Sequence, residues 1–126
     1  MNLQRLLRLL RLSAVGVTCA IWVLSLIPLN QTAIPGGDKL HHLLAYAGLM
    51  LMWRLATPHA TVRTQAKLAI LFVLMGVAIE FAQGLTPHRT FEWADMVANA
   101  SGICIGWAVS FILLRLTPQR WFSPQA

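Results

Sequence analysis

Four long apolar segments, separated by short polar stretches, make up most of this chain. They predict helices over about Leu12–Leu29, Asp38–Thr57, Ala66–Gly84 and Thr90–Leu116. Each segment has roughly the 17–25 residues that a helix needs to cross a hydrocarbon core about 30 Å thick. Proline residues at or just beyond the ends of three segments favour helix termination there. The pattern predicts an all-α bundle of four transmembrane helices, with residues 1–126 forming a single domain.

The composition supports a membrane protein over a soluble one. The 126 residues are 57% hydrophobic and 11% charged, whereas soluble domains carry about 25% charged residues. The chain is basic, but its Lys and Arg residues flank the apolar segments instead of forming a patch, so nucleic-acid binding is not expected. Cys19 and Cys104 lie within apolar segments, and we expect them to be small buried hydrophobic residues without a disulfide.

The distribution of basic residues predicts the orientation of the bundle. If the N-terminus is cytoplasmic, eight Lys and Arg residues share the cytoplasmic side: Arg5, Arg8, Arg11, Arg54, Arg63, Lys67, Arg115 and Arg120. Lys39 and Arg89 then lie outside. Cytoplasmic loops are enriched in Lys and Arg, so four spans with both termini inside are predicted. The second segment is the least apolar, but without it the basic loops would fall on opposite sides of the membrane.

A cleaved signal peptide is the alternative interpretation of the first apolar segment. The segment is longer than a usual signal core, and no A-x-A-like cleavage site follows at residues 30–33. We therefore expect the first helix to be retained.

Polar residues gather at the outer ends of the second, third and fourth segments. Lys39, His42 and Tyr46 share one helical stripe, as do Glu80 and Gln83. A third stripe carries Glu92, Asp95, Asn99, Gly102 and Gly106, since residues three and four apart face the same way. Asp38 and Arg89 lie beside these stripes. We call the ten predicted site residues the rim cluster: Asp38, Lys39, His42, Tyr46, Glu80, Gln83, Arg89, Glu92, Asp95 and Asn99.

Individual members of the rim cluster also have simpler interpretations. A carboxylate in hydrocarbon costs a few kcal/mol, so Glu80 should face the bundle and pair with His42, Lys39 or Arg89. It could instead serve only to hold helices together. Asp38 fits a helix N-cap, and Lys39 could simply extend to the membrane interface. The two glycines of the third stripe predict close helix contact.

The spacing of these residues resembles the VanZ-like family of small bacterial membrane proteins. Asp38-Lys39-x-x-His42-x-x-x-Tyr46 is similar to its first signature. Its second signature is similar to Glu80-x-x-Gln83 followed by Pro87-x-Arg89-x-Phe91-Glu92-x-x-Asp95-x-x-x-Asn99-x-x-Gly102. Together with Gly106 they define a core signature over residues 38–106. The resemblance implies a multi-pass protein of the bacterial inner (cytoplasmic) membrane. The family's founding member is linked to low-level teicoplanin resistance, so a role in glycopeptide resistance is implied.

Three classes of function fit these residues. The first is a resistance factor that binds an anionic, lipid-linked or phosphorylated envelope component through Lys39, Arg89 and His42, with the acids orienting these cations. The second is a membrane enzyme that uses His42 beside carboxylates as an acid or base. The third is a structural or partner-binding protein. Besides the lipid bilayer, the partners could include a second copy of the chain.

No metal or other cofactor is predicted. A metal site at His42, Glu80 and Asp95 has suitable ligand types but lacks a supporting motif. The inner half of the bundle is expected to hold no polar residue, so no proton or ion pathway is predicted.

Overall fold

The structure, a computed structural model, describes residues 2–28 and 37–118, which contain four α-helices and no β-strand. The helices are α1 (Leu3–Leu26), α2 (Gly37–Ala56), α3 (Val62–Gly84) and α4 (Trp93–Leu116). The predicted all-α class is therefore confirmed for the described residues. Leu29, the last residue of the first predicted helix, lies outside them, as do residues 30–33 and Arg120.

Three helix starts differ from the prediction. Helix α3 begins at Val62, not near Ala66, and the Thr61 side chain caps it by accepting a hydrogen bond from the Thr64 amide. Helix α1 begins at Leu3, not near Leu12, because the Asn2 side chain caps it by accepting a hydrogen bond from the Arg5 amide at 3.0 Å. Helix α4 begins at Trp93, not near Thr90, and Glu92 is its N-cap residue with an extended backbone. Glu92 therefore lies just before the helix on which it was predicted.

Three of the helices, α1, α3 and α4, are long and apolar enough to cross a membrane. Large apolar side chains cover their outer surfaces, as expected for contact with lipid; Ile70, Leu74 and Ile112 are each about 60% exposed. The chain is therefore a multi-pass membrane protein. Cys19 and Cys104 are also exposed, so the prediction that they are buried is wrong. An apolar segment indicates burial in a bilayer, which is not the same as burial inside the bundle.

The closest packing in the bundle joins α2 and α4, which run parallel and begin at the same end. A Cβ atom added to Gly102 would overlap the carbonyl oxygen of Leu43, and one added to Gly106 would overlap that of Ala47. The two backbones can approach this closely only because these residues have no side chain. The predicted close contact at Gly102-x3-Gly106 is confirmed. We call the end at which α2 and α4 begin the rim end.

Polar residues are also buried near the opposite end, contrary to the prediction. The Trp107 indole donates to Gln65 Oε1 at 2.8 Å, and Gln65 Nε2 donates to the Ala60 carbonyl at 2.7 Å. Arg54, 2% exposed, donates to the Thr57 carbonyl at 2.9 Å. These hydrogen bonds stabilise the helix ends where α2 turns into α3. The sequence places Arg54 in the second predicted helix, among the basic residues of the predicted cytoplasmic side, but it does not predict that the side chain is buried.

Candidate functional site

Lys39 lies at the centre of a group of three carboxylates at the rim end. Its Nζ donates to Glu92 Oε2 at 2.8 Å and lies 3.6 Å from Asp95 Oδ1 and 3.7 Å from Asp38 Oδ2. Asp95 is buried in the first turn of α4, whereas Glu92 and Lys39 are partly exposed. The ammonium group therefore neutralises carboxylates from α2 and from the start of α4, and it ties the two helices together.

Asp38 belongs to this group but is not the N-cap of α2. The helix begins at Gly37, so Asp38 lies in its first turn. One carboxylate oxygen accepts the Lys39 amide hydrogen at 2.9 Å. An acid in the first turn also interacts favourably with the helix dipole.

His42 is held between two residues of α4. Its Nδ1 lies 3.0 Å from Asn99 Oδ1, and its Nε2 lies 3.5 Å from Asp95 Oδ2. When His42 is protonated, both ring nitrogens can donate to these oxygens. Both nitrogens thus face protein groups, which orients the ring and leaves neither directed at an outside molecule.

Glu80 joins α3 to the start of α4 through the backbone. Its Oε1 accepts the Glu92 amide hydrogen at 2.7 Å, and the side chain is almost fully buried. It faces the bundle, as predicted. None of its three predicted partners, His42, Lys39 and Arg89, lies within hydrogen-bond or ion-pair distance among the described residues. His42 and Arg89 interact with the Glu80 carboxylate only at longer range, through their charge. The direct hydrogen bond comes instead from the Glu92 amide, a group that any residue could supply.

Gln83 and Tyr46 lie deeper in the bundle. Gln83 Nε2 donates to the Ser25 carbonyl of α1 at 2.7 Å, so the first helix also takes part in the cluster. Gly76 makes room beside Tyr46 and Asn99, since a Cβ at Gly76 would lie 2.9 Å from Asn99 Nδ2 and 3.4 Å from the Tyr46 hydroxyl. The sequence did not single out Gly76, although it precedes Glu80 by one helical turn and could have been found on that stripe.

Several buried polar atoms of the cluster have no hydrogen-bond partner in the described part of the chain. They are Glu80 Oε2, Gln83 Oε1, Asp95 Oδ1 and the Tyr46 hydroxyl. Asp95 Oδ1 still faces the Lys39 ammonium. Leaving such an atom without a partner costs about 1–3 kcal/mol. The remaining three atoms could each accept a hydrogen bond.

Arg89 lies in the connection between α3 and α4 and lines two clefts of about 260 Å³ each. The first cleft is walled mainly by polar residues, including Glu92 and Asp95. The second runs between α1 and α2 and reaches Tyr46 and Gln83. Within the described residues, Arg89 makes no hydrogen bond or ion pair. Its guanidinium group differs in this respect from the Lys39 ammonium.

The structure thus brings nine of the ten rim-cluster residues into one connected end of the bundle by contact or packing, and Arg89 borders the same clefts. The combination of His42, Glu80 and Asp95 is not among the groups of described residues that lie close enough together to hold a metal ion. The three acids that do lie close enough to hold a cation are Asp38, Glu92 and Asp95. Lys39 is already paired with all three.

Comparison with known protein families gives a match. The family model described as VanZ/LLP1 matches residues 6–115, a stretch that contains the whole rim cluster and nearly all of the four helices. No curated protein and no solved structure matches the chain.

Proposed function

The chain belongs to the VanZ/LLP1 family, and from this membership and the rim cluster we propose that it binds an anionic component of the bacterial cell envelope. The binding site is the rim end, the bound group is a phosphate or similar anion, and the physiological result is reduced susceptibility to glycopeptides. The resemblance to a family whose founding member is linked to teicoplanin resistance supports the last step.

Arg89 is the observation that carries this proposal. Carboxylates already engage Lys39, and His42 is oriented by Asp95 and Asn99. Arg89 makes no hydrogen bond or ion pair with any described residue and interacts with Glu80 only at longer range, and it borders both clefts. A planar guanidinium can donate two parallel hydrogen bonds to a phosphate. The acids and Asn99 fix the neighbouring cations, and Arg89 makes the direct contact.

The proposed topology places the rim end on the outer face of the cytoplasmic membrane. Helix α2 completes a four-span bundle because its 20 residues extend over about 30 Å and it packs along α4. The bundle end remote from the rim carries Arg54, Arg63, Lys67 and Arg115 at or near helix termini. This basic end lies in the cytoplasm, as the positive-inside tendency requires.

The two other classes of function have less support. An enzyme would need a group able to exchange a proton with a substrate, yet both ring nitrogens of His42 face protein oxygens. A purely structural role accounts for Glu80 and Lys39, which join helices. It does not explain Arg89, which makes no hydrogen bond or ion pair among the described residues.

Three single substitutions separate binding from structure: Arg89→Gln, Glu80→Gln and Asp95→Asn. We expect Arg89→Gln to abolish the effect on glycopeptide susceptibility at unchanged membrane abundance, because no described contact of the fold is lost. Glu80→Gln and Asp95→Asn also alter contacts between helices, so their abundance should fall as well. The measurements are minimum inhibitory concentration and quantitative immunoblotting of membranes.

Arg63→Gln is the matched control, because Arg63 is exposed near the start of α3 and remote from the rim. It should leave both readings unchanged. Full activity of Arg89→Gln at normal abundance would refute a role of the Arg89 anion contact in glycopeptide susceptibility.

A further inference from the structure

We propose that the cleft between α1 and α2 binds the head group of a phospholipid that carries both a phosphate and an N–H-donating ammonium, as phosphatidylethanolamine does. This inference rests on the proposed function and specifies a ligand of the same rim: the lipid phosphate is the anionic group that Arg89 binds, and the ammonium makes the whole head group zwitterionic. It is drawn from the different chemistry of the three parts of this one cleft.

The apolar part of the cleft faces the lipid. Ile21 and Leu24 of α1 and Ala45 of α2 line it, and Leu24 and Ala45 are exposed on the surface of the bundle. An amphiphile can therefore keep its acyl chains in the bilayer while its head group enters sideways. The cleft volume of about 260 Å³ is just below the roughly 300–1,000 Å³ typical of small-molecule pockets. It suits a head group and not a whole lipid.

The phosphate has a cation to meet at the mouth of the cleft. Arg89 lines the cleft without an ion pair among the described residues. Lys39 is not available for this role, because its ammonium is paired with Glu92 and lies close to Asp95 and Asp38. A guanidinium beside an apolar wall is a favourable place for a lipid phosphate, since low dielectric strengthens the attraction.

The deep part of the cleft holds two buried polar atoms that can accept a hydrogen bond. Tyr46 and Gln83 line it, and the Tyr46 hydroxyl and Gln83 Oε1 are buried without a partner in the described residues. Gln83 Oε1 can only accept a hydrogen bond, and Gln83 Nε2 already donates to the Ser25 carbonyl. Asp38 adds a carboxylate to the same cleft. A primary ammonium offers three donors to these acceptors, whereas a trimethylated ammonium offers none.

The test compares two lipids that share the phosphate and the net charge. The purified full-length chain is exposed to phosphatidylethanolamine or phosphatidylcholine with identical acyl chains, and the retained lipid is counted by native mass spectrometry. We expect phosphatidylethanolamine to be retained at least about fivefold better, which is the ratio that one lost hydrogen bond of about 1 kcal/mol produces. Equal retention of the two lipids would overturn the proposal.

Two variants assign the contacts. Tyr46→Phe removes the unpartnered hydroxyl without breaking a hydrogen bond of the fold, so it should reduce the preference between the lipids. Arg89→Gln should weaken retention of both lipids about equally and keep the preference. If Tyr46→Phe keeps the full native preference, or Arg89→Gln retains both lipids as the native chain does, the assignment is wrong.

The outcomes distinguish this inference from the proposed function. Loss of glycopeptide phenotype in Arg89→Gln, together with equal retention of the two lipids, refutes the ligand and leaves the anion site standing. Preferential retention of phosphatidylethanolamine by the native chain, together with an unchanged phenotype in Arg89→Gln, refutes the physiological role and supports the lipid site.

Discussion

Replacement of Gly106 by alanine is expected to lower the thermal stability of the bundle sharply, and Gly102→Ala should act in the same way. A Cβ atom at either position would overlap a backbone carbonyl oxygen of α2, at Ala47 or Leu43. Because a carbonyl of a neighbouring helix cannot rotate away as a side chain can, the two helices must separate. Overpacking of this kind costs about 1–3 kcal/mol and sometimes more.

Gly48→Ala is the matched control for this experiment. Gly48 lies on the same helix as the contacted carbonyls, yet an added Cβ would meet nothing within 4 Å. Alanine is the better helix former by about 1 kcal/mol, so this substitution should leave the melting temperature unchanged or raise it. The measurement is thermal unfolding of the purified variants in one detergent. Equal melting temperatures for Gly106→Ala and Gly48→Ala would contradict the packing of α2 on α4.

The second large effect is expected for Lys39→Met. The substitution removes the cation that lies among Asp38, Glu92 and Asp95, whose oxygens lie within 4.8 Å of one another. Three negative charges without a counter-charge then repel each other, and Asp95 is buried, so the bundle should lose stability at neutral pH. Protonation at low pH removes the repulsion, so the loss should shrink as the pH falls.

A second substitution and a divalent cation should both reverse this loss. Asp95→Asn in the Lys39→Met background removes one of the repelling charges. Millimolar Mg²⁺ or Ca²⁺ can take the place of the ammonium group, because carboxylate oxygens are their preferred ligands. Lys67→Met, which changes an exposed lysine of α3, is the control and should unfold as the native chain does. Indistinguishable unfolding of Lys39→Met and Lys67→Met would show that the three acids need no counter-charge.

Helical periodicity was enough to predict most of the rim cluster. Lys39 and His42 on one stripe, and Asp95 and Asn99 on another, meet as expected because α2 and α4 begin at the same end. Gly102 and Gly106 lie on the same stripe of α4 as Asp95 and Asn99, and they explain why α2 and α4 are so close. Side chains at positions i, i+3 and i+4 lie on one face of a helix wherever the helix begins. The predicted stripes therefore remain correct even where the predicted helix boundaries are wrong.

Backbone partners could not be predicted in this way. Glu80 binds the amide of Glu92, and Gln83 binds the carbonyl of Ser25. Backbone groups are the same in every residue, so no residue type marks them in the sequence. For the same reason, the sequence does not predict the contact of α1 with the rim cluster, which is made by the Ser25 carbonyl in the last turn of α1.

Burial of Arg54 was missed for a different reason. A charged side chain near the end of a membrane-spanning helix usually extends to the membrane interface, but the Arg54 guanidinium folds back to the Thr57 carbonyl and lies near the ring of Phe111, 6.0 Å from its centroid. These contacts cover the charge at the end of its own helix. Only the packing of α4 on α2 reveals this arrangement, and no local pattern encodes it.

The account depends on the rim end lying outside the cytoplasm, and cysteine labelling measures this directly. In a background with Cys19 and Cys104 replaced by alanine, His88→Cys tests the exposed α3–α4 connection beside Arg89. Val62→Cys, 63% exposed at the start of α3, tests the opposite end. In intact spheroplasts, a membrane-impermeant maleimide should label His88→Cys at once and Val62→Cys only after permeabilisation. The reverse order of labelling would place the rim cluster in the cytoplasm and contradict the account.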